Sequence, residues 1–256
     1  MEGMDIHVSE AKRSGRGGLI AVVILTVACA VAAAVAGFGH RWGWWDYRTG
    51  FTILRWAVYI AAGAGVVCLI AFFAGAARKN TAFMTLGLAG AVIAAGLVLP
   101  AWNMQRAGTL VPRIHDITTD TDNPPAFVAI VPLRNDAPNP AAYDGPKTAA
   151  EQKKAYADIY AVELAMPPAQ AYERAFGVAR AMGWQIIATE PAQGRIEATD
   201  ATFWFGFKDD VVIRVAAAGN GSRVDIRSKS RVGRNDFGTN AKRTRAYTRR
   251  LEEAAR

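Results

Sequence analysis

The sequence predicts a membrane-embedded, all-α N-terminal part followed by a soluble α+β domain with an antiparallel sheet and packed helices. Three observations lead to this fold class. Long apolar runs fill residues 19–102, residues 103–256 have the composition of a soluble domain, and this later part contains alternating strand patterns. The mean hydropathy of +0.09 therefore averages two unlike halves of a 256-residue chain.

Three runs without charged residues, about 19–38, 56–77 and 81–102, predict three transmembrane helices. An apolar helix of about 20 residues crosses the roughly 30 Å hydrocarbon layer of a bilayer. Backbone groups in lipid must be satisfied within the segment, which favours helices. Transporters usually place charged residues inside their spans, and these runs have none. The spans are therefore predicted to anchor the chain.

Basic residues predict the orientation of these spans. The N-terminal tail carries three before the first run, and Arg78 and Lys79 separate the second run from the third. In the other short loop, Asp46 partly offsets the basic residues. Residues 1–18 are therefore predicted to be cytoplasmic and the soluble domain periplasmic, in a multi-pass protein of a bacterial inner membrane. The basic tail residues are Lys12, Arg13 and Arg16.

A second interpretation of the first run stays open. Ala34–Ala36 resembles the small-residue site at which a signal peptide is cleaved. Cleavage would leave the soluble domain on the same side of the membrane.

Charge and cysteine content limit the function of the soluble part. Of the formal net charge of +8, residues 223–256 contribute eleven basic and four acidic residues, a net +7. Such a segment suits anionic lipid, phosphate or nucleic acid, but export would separate it from DNA, so no nucleic acid is expected. Cys29 and Cys68 lie in apolar runs, so residues 103–256 offer no thiolate. No cofactor is predicted.

Residues 103–146 are predicted to form an extended, proline-rich strap, because proline removes donors and biases its neighbours away from helix. The strap contains His115, Asp116 and Asp120, which are candidates for metal ligands. Their spacing matches neither a calcium loop nor a zinc motif. Asp and Thr also bond their own backbone in turns, which is the simpler interpretation.

Residues 147–256 are predicted to be the soluble α+β domain. The patterns predict helices at 147–160, 168–182 and 241–254, and strands at 161–166, 184–189, 195–207, 211–216 and 223–231. Asp236 is predicted to cap the last helix, and Arg243 is expected to stay in solvent on its outer face.

The last two strands are predicted to form a hairpin with one apolar and one charged face. A two-residue turn at Asn220-Gly221 would place Arg214 opposite Arg227. Like charges at that distance are unfavourable. Either internal carboxylates such as Asp225 or a bound anion would compensate them, and the sequence leaves both alternatives open.

The polar and basic residues of this region form the candidate site for an anion or a partner. They are Arg214, Arg227, Ser228, Ser230, Arg231, Arg234, Asp236 and Asn240.

Four sequence blocks also carry a resemblance. In order, these are Ile114–Asp120, Pro124–Val128, Asp209–Arg214 and Ser228–Asn240. Together they resemble the bacterial Domain of Unknown Function 1499 family over about residues 110–254. That family has no established activity, so the resemblance implies the extent of a domain without a mechanism. The order of elements also resembles a helix-grip fold, which implies a sheet wrapped around a helix and an apolar ligand.

Two functions compete at this point. The first is a non-enzymatic envelope protein that binds an anionic lipid head group or a protein partner through its arginine-rich face. The second is a periplasmic hydrolase on the same surface, or an apolar-ligand carrier. The candidate residues of the hydrolase are Asp209, Asp210, Ser228, Ser230 and Asp236. The soluble part has one histidine, His115, and lacks G-x-S-x-G, H-E-x-x-H and P-loop motifs. This favours the binding function.

Overall fold

A computed structural model describes the backbone of residues 2–256 and the side chains of residues 15–256. Lys12 and Arg13, which contribute to the predicted orientation, lie outside the described side chains. The chain divides into two compact units, one of residues 1–106 with 204–206, the other of residues 107–203 with 207–256.

The first unit is helical. Its elements are α1 (Glu2–Arg41), α2 (Tyr47–Ala77) and most of α3 (Thr81–Thr109). Among the described residues, three helices are long and apolar enough to cross a membrane: Gly15–Arg41 of α1, all of α2, and all of α3. The prediction of three long apolar helices is confirmed, and it indicates a membrane protein.

Small residues bring α2 and α3 close together. A Cβ atom on Gly87 would lie 2.6 Å from the backbone oxygen of Cys68, and one on Gly90 would lie 2.4 Å from its sulfur. Only glycine permits this approach, and close backbone contact is a common source of stability between helices in lipid. The small residues of the third run therefore pack against the second helix.

The second unit is an α+β domain built on an antiparallel sheet. The strands are β1 (Asp116–Thr118), β2 (Val162–Leu164), β3 (Gln185–Glu190), β4 (Arg195–Ala201), β5 (Lys208–Ala218) and β6 (Gly221–Ser230). Their order is β1-β6-β5-β4-β3, and β2 pairs with the same strand β6 as β1. The helices are α4 (Pro146–Ala155), α5 (Pro168–Ala181) and α6 (Thr239–Ala254). The predicted antiparallel α+β domain is confirmed, whereas the helix-grip likeness stays a prediction.

The two faces of the sheet are covered differently. Alternate residues of β4, β5 and β6 form an apolar core with α5 and α6. In this core Tyr247 stacks on Trp184, with ring centroids 5.5 Å apart. The opposite face carries charged residues and is covered by the chain that follows β1, up to residue 144, which includes a short 3-10 helix at Val131–Arg134. The segment predicted to be a strap thus lies on the charged face.

The register of the β5–β6 hairpin differs from the prediction. The turn is Gly219-Asn220, not Asn220-Gly221, and Arg214 pairs with Asp225 instead of Arg227. Gly219 has a φ of +54°, and a glycine at the first turn position is the pattern of a type II′ turn, which fits the twist of a hairpin. The predicted register is wrong by two residues.

The predicted strand at 195–207 is also too long. Strand β4 ends at Ala201, and Thr202 and Phe207 close a loop through mutual hydrogen bonds of 2.9 Å. The alternation of phenylalanines at 203, 205 and 207 is therefore not a strand pattern. Residues 204–206 belong to the first unit, where Trp204 donates to the backbone oxygen of Ala34 at 2.9 Å.

Candidate functional site

The charged face of the sheet centres on a buried ion pair. Arg227 on β6 donates to both carboxylate oxygens of Asp116 on β1, with both distances 2.8 Å. The two side chains are 2% and 0% exposed. The Arg227 guanidinium also lies over the ring of Phe127, 4.9 Å from its centroid. Because β1 pairs with β6, the backbone itself brings this carboxylate to the arginine.

Lys229 extends this pair into a network. Its ammonium lies 3.2 Å from Asp116 and 2.6 Å from Asp144, and it donates to the backbone oxygen of Ala142 at 2.6 Å. The side chain is fully buried. A His115 ring nitrogen lies 3.3 Å from Asp144. Each buried charge here has a partner of opposite sign, which a low-dielectric interior requires.

Asp210 on β5 forms a second buried centre. It accepts from Arg134 of the covering segment at 2.7 Å and from Arg231 at 2.8 Å on each oxygen. The hydroxyl of Thr199 donates to it at 2.7 Å. Burial lowers the pKa of Arg134, against the attraction of Asp210. The Asp210 carboxylate therefore has no free oxygen for acid–base chemistry.

Glu197 on β4 holds the covering segment by its backbone. Its fully buried carboxylate accepts the amides of Val128, Ala129 and Ile130 at 2.9–3.0 Å. Arg195 donates to the same carboxylate. Successive backbone amides that converge in this way form an anion-binding nest, and here the anion is supplied by the domain itself.

Asp225 and Asp120 neutralise two partly exposed arginines, Arg214 and Arg223. Arg214 lies 2.9 Å from Asp225 and 3.0 Å from Asp120, and Arg223 bonds to both carboxylates. Burial works to raise the pKa of Asp120, but amide hydrogen bonds and the two arginines outweigh it and lower that pKa. Of the two alternatives for compensating Arg214, the structure contains the internal one.

The helix side of the sheet carries a separate buried polar cluster. Arg243 on α6 donates to Asp209 at 2.7 Å and to the hydroxyl of Ser228 at 3.1 Å. Asn240 receives the Ser228 hydroxyl hydrogen at 2.6 Å and donates to Ser230 at 2.9 Å. The expectation that Arg243 stays in solvent is therefore wrong. Arg243 lies on the buried side of α6, because the buried carboxylate of Asp209 requires a cation beside it.

Asp236 bonds to the start of α6 from two residues before its N-cap, which is Gly238 and not the predicted Asp236. Its carboxylate accepts the amides of Gly238 at 2.9 Å and Asn240 at 2.7 Å. The Asn240 amide belongs to the first turn of the helix, where amides lack intrahelical partners. Burial raises the pKa of Asp236, and nearby Asp209 acts in the same direction. Asp236 thus has a structural role at the start of the helix.

Two of the residues predicted as metal ligands are bonded to arginines. Asp116 is bonded to Arg227, and Asp120 to Arg214. Within residues 15–256, no group of three or more His, Cys, Asp or Glu residues is arranged to hold a metal ion.

Five of the eleven basic residues at 223–256 remain outside these networks. They are exposed, and the described part of the chain shows no ion pair for them: Arg234, Lys242, Arg249, Arg250 and Arg256. We call the first four of these the exposed basic surface. Of the residues predicted for the site, only Arg234 lies here. Lys242, Arg249 and Arg250 are absent from the predicted site because charged residues are usual on the solvent face of an amphipathic helix and give no specific signal.

Two adjoining depressions on the second unit have volumes of about 460 and 420 Å³. They share Thr119 and Arg223, and most of their remaining lining is polar or charged. Apolar side chains such as Val162 and Ile159 also line them.

Comparisons with known proteins agree with the resemblance seen in the sequence. No curated protein matches the chain. Residues 116–251 match the model of a family described as "Protein of unknown function (DUF1499)". The match runs from β1 to the last turn of α6 and covers more than half of the chain. The chain therefore belongs to the DUF1499 family.

Proposed function

We propose that this protein is a non-enzymatic binding protein of the bacterial inner membrane, with its α+β domain on the periplasmic side. Its exposed basic surface binds the anionic head groups of lipids. One observation carries this proposal: carboxylates of the domain neutralise six of the terminal cations, whereas Lys242, Arg249 and Arg250 stay exposed along one helix.

The burial and hydrogen bonding of the polar side chains favour a binding function over a catalytic one. Nucleophilic or acid–base catalysis needs a side chain that reaches a substrate in a cleft. The hydroxyls of Ser228 and Ser230 are buried and hydrogen-bonded, as are the carboxylates of Asp209 and Asp210. A substrate would have to displace an internal arginine before reaching Ser228, Asp209 or Asp210.

The proposed orientation rests on the basic residues around the spans. Alkaline phosphatase fused after Arg256 is expected to be active, and a fluorescent protein fused there is expected to be dark, because the first folds only after export and the second only in the cytosol. Each fusion is measured in cells together with the same fusion placed after Lys79, which is expected to give the reverse pattern. A bright fusion after Arg256 would contradict the periplasmic placement.

Binding to anionic lipid is tested with the full chain in phosphatidylcholine nanodiscs. Capture by added vesicles that contain phosphatidylglycerol is expected to fall at least 100-fold when Arg234, Lys242, Arg249 and Arg250 are all replaced by Gln. Each cation near an anionic surface contributes roughly 1 kcal/mol. Added salt should weaken the capture of the unsubstituted chain, because it screens exposed charges.

A matched control replaces four other exposed lysines of the second unit with Gln. These are Lys147, Lys153, Lys154 and Lys208. The control is expected to retain most of the capture. Equal losses in both variants would show a general charge effect, and unchanged capture in the first variant would overturn the proposal.

A further inference from the structure

The chain that leaves α3 is clamped by the loop before α6. Asn235 donates its side-chain amide to the backbone oxygen of Gly108 at 3.2 Å. The ring of Phe237 covers Gly108 so closely that a Cβ there would lie 2.4 Å from the ring. Both contacts lie within the second unit. Gly108 is thus a point of contact between the last turn of α3 and an exposed loop.

Phe237 is held in an unusual backbone conformation at this point. Its φ is +55°, a region that bulky residues rarely occupy. The Asn235 side chain accepts the Phe237 amide at 2.9 Å, and Asp236 accepts the amide that follows. These bonds fix the strained residue, and the ring stays 41% exposed. Strain of this kind persists where the surroundings enforce it and often marks a functional surface.

A second exposed apolar residue lies on the neighbouring segment, just after α3. Leu110 is 80% exposed, two residues after Gly108. Val111 contacts the position of Gly238, whose added Cβ would lie 3.6 Å from it. Single exposed apolar residues are normal, but these two lie on adjoining segments, and both are large.

The position of this patch in the chain identifies what covers it. Gly108 follows Trp102, the last residue of the third apolar run, by six residues of continuous helix. The patch therefore follows the last apolar run by less than two turns of the same helix. Exposed Arg113 and Arg234 flank the patch in sequence. Apolar side chains next to cations are the composition of a surface that lies in the lipid interface.

We infer that Leu110 and Phe237 form an interfacial patch that inserts among lipid head groups. This goes beyond the proposed function, because insertion of apolar side chains does not require anionic lipid. The hydrogen bonds from Asn235 and Asp236 fix the backbone of Phe237, and its ring packs on Gly108, two residues before Leu110 in the chain.

The test labels Leu110→Cys with an environment-sensitive fluorophore in the full chain, reconstituted in phosphatidylcholine vesicles. Cys29 and Cys68 are buried, so the unsubstituted chain gives the background of labelling. The label is expected to be quenched by lipids that carry a spin label near the head group and protected from iodide in water. The same label on Leu133→Cys, at a half-exposed position on the covering segment, should show the opposite pattern.

A second variant tests the role of the ring. In Leu110→Cys with Phe237→Asn, quenching by spin-labelled lipid is expected to fall by at least half, since Asn tolerates a positive φ but cannot insert. Iodide access at position 110 equal to that at position 133 would overturn the inference. A label that is shielded from iodide yet not quenched by lipid would also overturn it, because a protein surface would then cover the patch. Neutral lipid makes this outcome independent of the charge-dependent binding.

Discussion

Replacement of Asp116 by Ala is expected to lower the free energy of unfolding of the soluble domain by about 3–5 kcal/mol. The substitution leaves the buried Arg227 guanidinium without its bidentate partner and removes one of the two carboxylates beside Lys229. Breaking one side of a buried pair costs this much because the remaining charge stays out of water. The loss is measured by urea-dependent proteolysis of the full chain in detergent.

Asp122→Ala is the matched control. Its carboxylate pairs with Lys153 at 2.9 Å, but both side chains are more than half exposed. Surface pairs of this kind contribute about 0–1 kcal/mol. A double substitution, Asp116→Leu with Arg227→Met, is expected to recover part of the stability, because it removes both charges from the interior. Equal losses for Asp116→Ala and Asp122→Ala would refute the buried network as the main attachment of the covering segment.

The membrane part was predictable because a single local property determines it. Uncharged runs of about 20 residues can satisfy their backbone in lipid only as helices. The runs ending near residues 38, 77 and 102 appear as three long helices in the structure. No distant residue is needed for this inference.

The hairpin shows what a local pattern leaves undetermined. Alternation with a period of two excludes a register slip of one residue, since that would expose the apolar face. It does not exclude a slip of two, which keeps every side chain on its own face. The actual register differs from the predicted one by two, and it sets Arg214 against Asp225. Opposite charges at that position are favourable, and this signal was present in the sequence.

Local patterns could not predict that another segment of the chain covers the charged face of the sheet. Arg227 and its partner Asp116 are 111 residues apart in the chain. An alternating charged strand has the same pattern whether solvent or another segment covers it. Charge balance gave a weak signal, because residues 103–222 carry an acidic excess that complements the basic terminal stretch. Arg243 was misassigned for a related reason, since Asp209 and Ser228 reach it only through the folded sheet.

Replacement of Glu197 by Ala is expected to have a comparably large effect, about 3 kcal/mol or more. Three backbone amides, those of Val128, Ala129 and Ile130, lose their acceptor together. Each buried donor left unsatisfied costs about 1–3 kcal/mol, and water entering the site would relieve only part of this cost. The loss of stability in Glu197→Gln is expected to be smaller than in Glu197→Ala. The Gln side chain keeps one acceptor oxygen, but its NH2 group donates and opposes the amides.

Hydrogen exchange at residues 128–130 distinguishes this effect from a general loss of stability. The three amides are expected to exchange much faster in Glu197→Ala, while amides of the β5–β6 ladder keep more of their protection. Glu190→Ala, at an exposed position on β3, is the control and should stay within about 0.5 kcal/mol of the unsubstituted chain. If amides 128–130 remained as protected in Glu197→Ala as in that control, packing of Phe127 and Ile130 against Val212, and not the carboxylate, would hold the covering segment on the sheet.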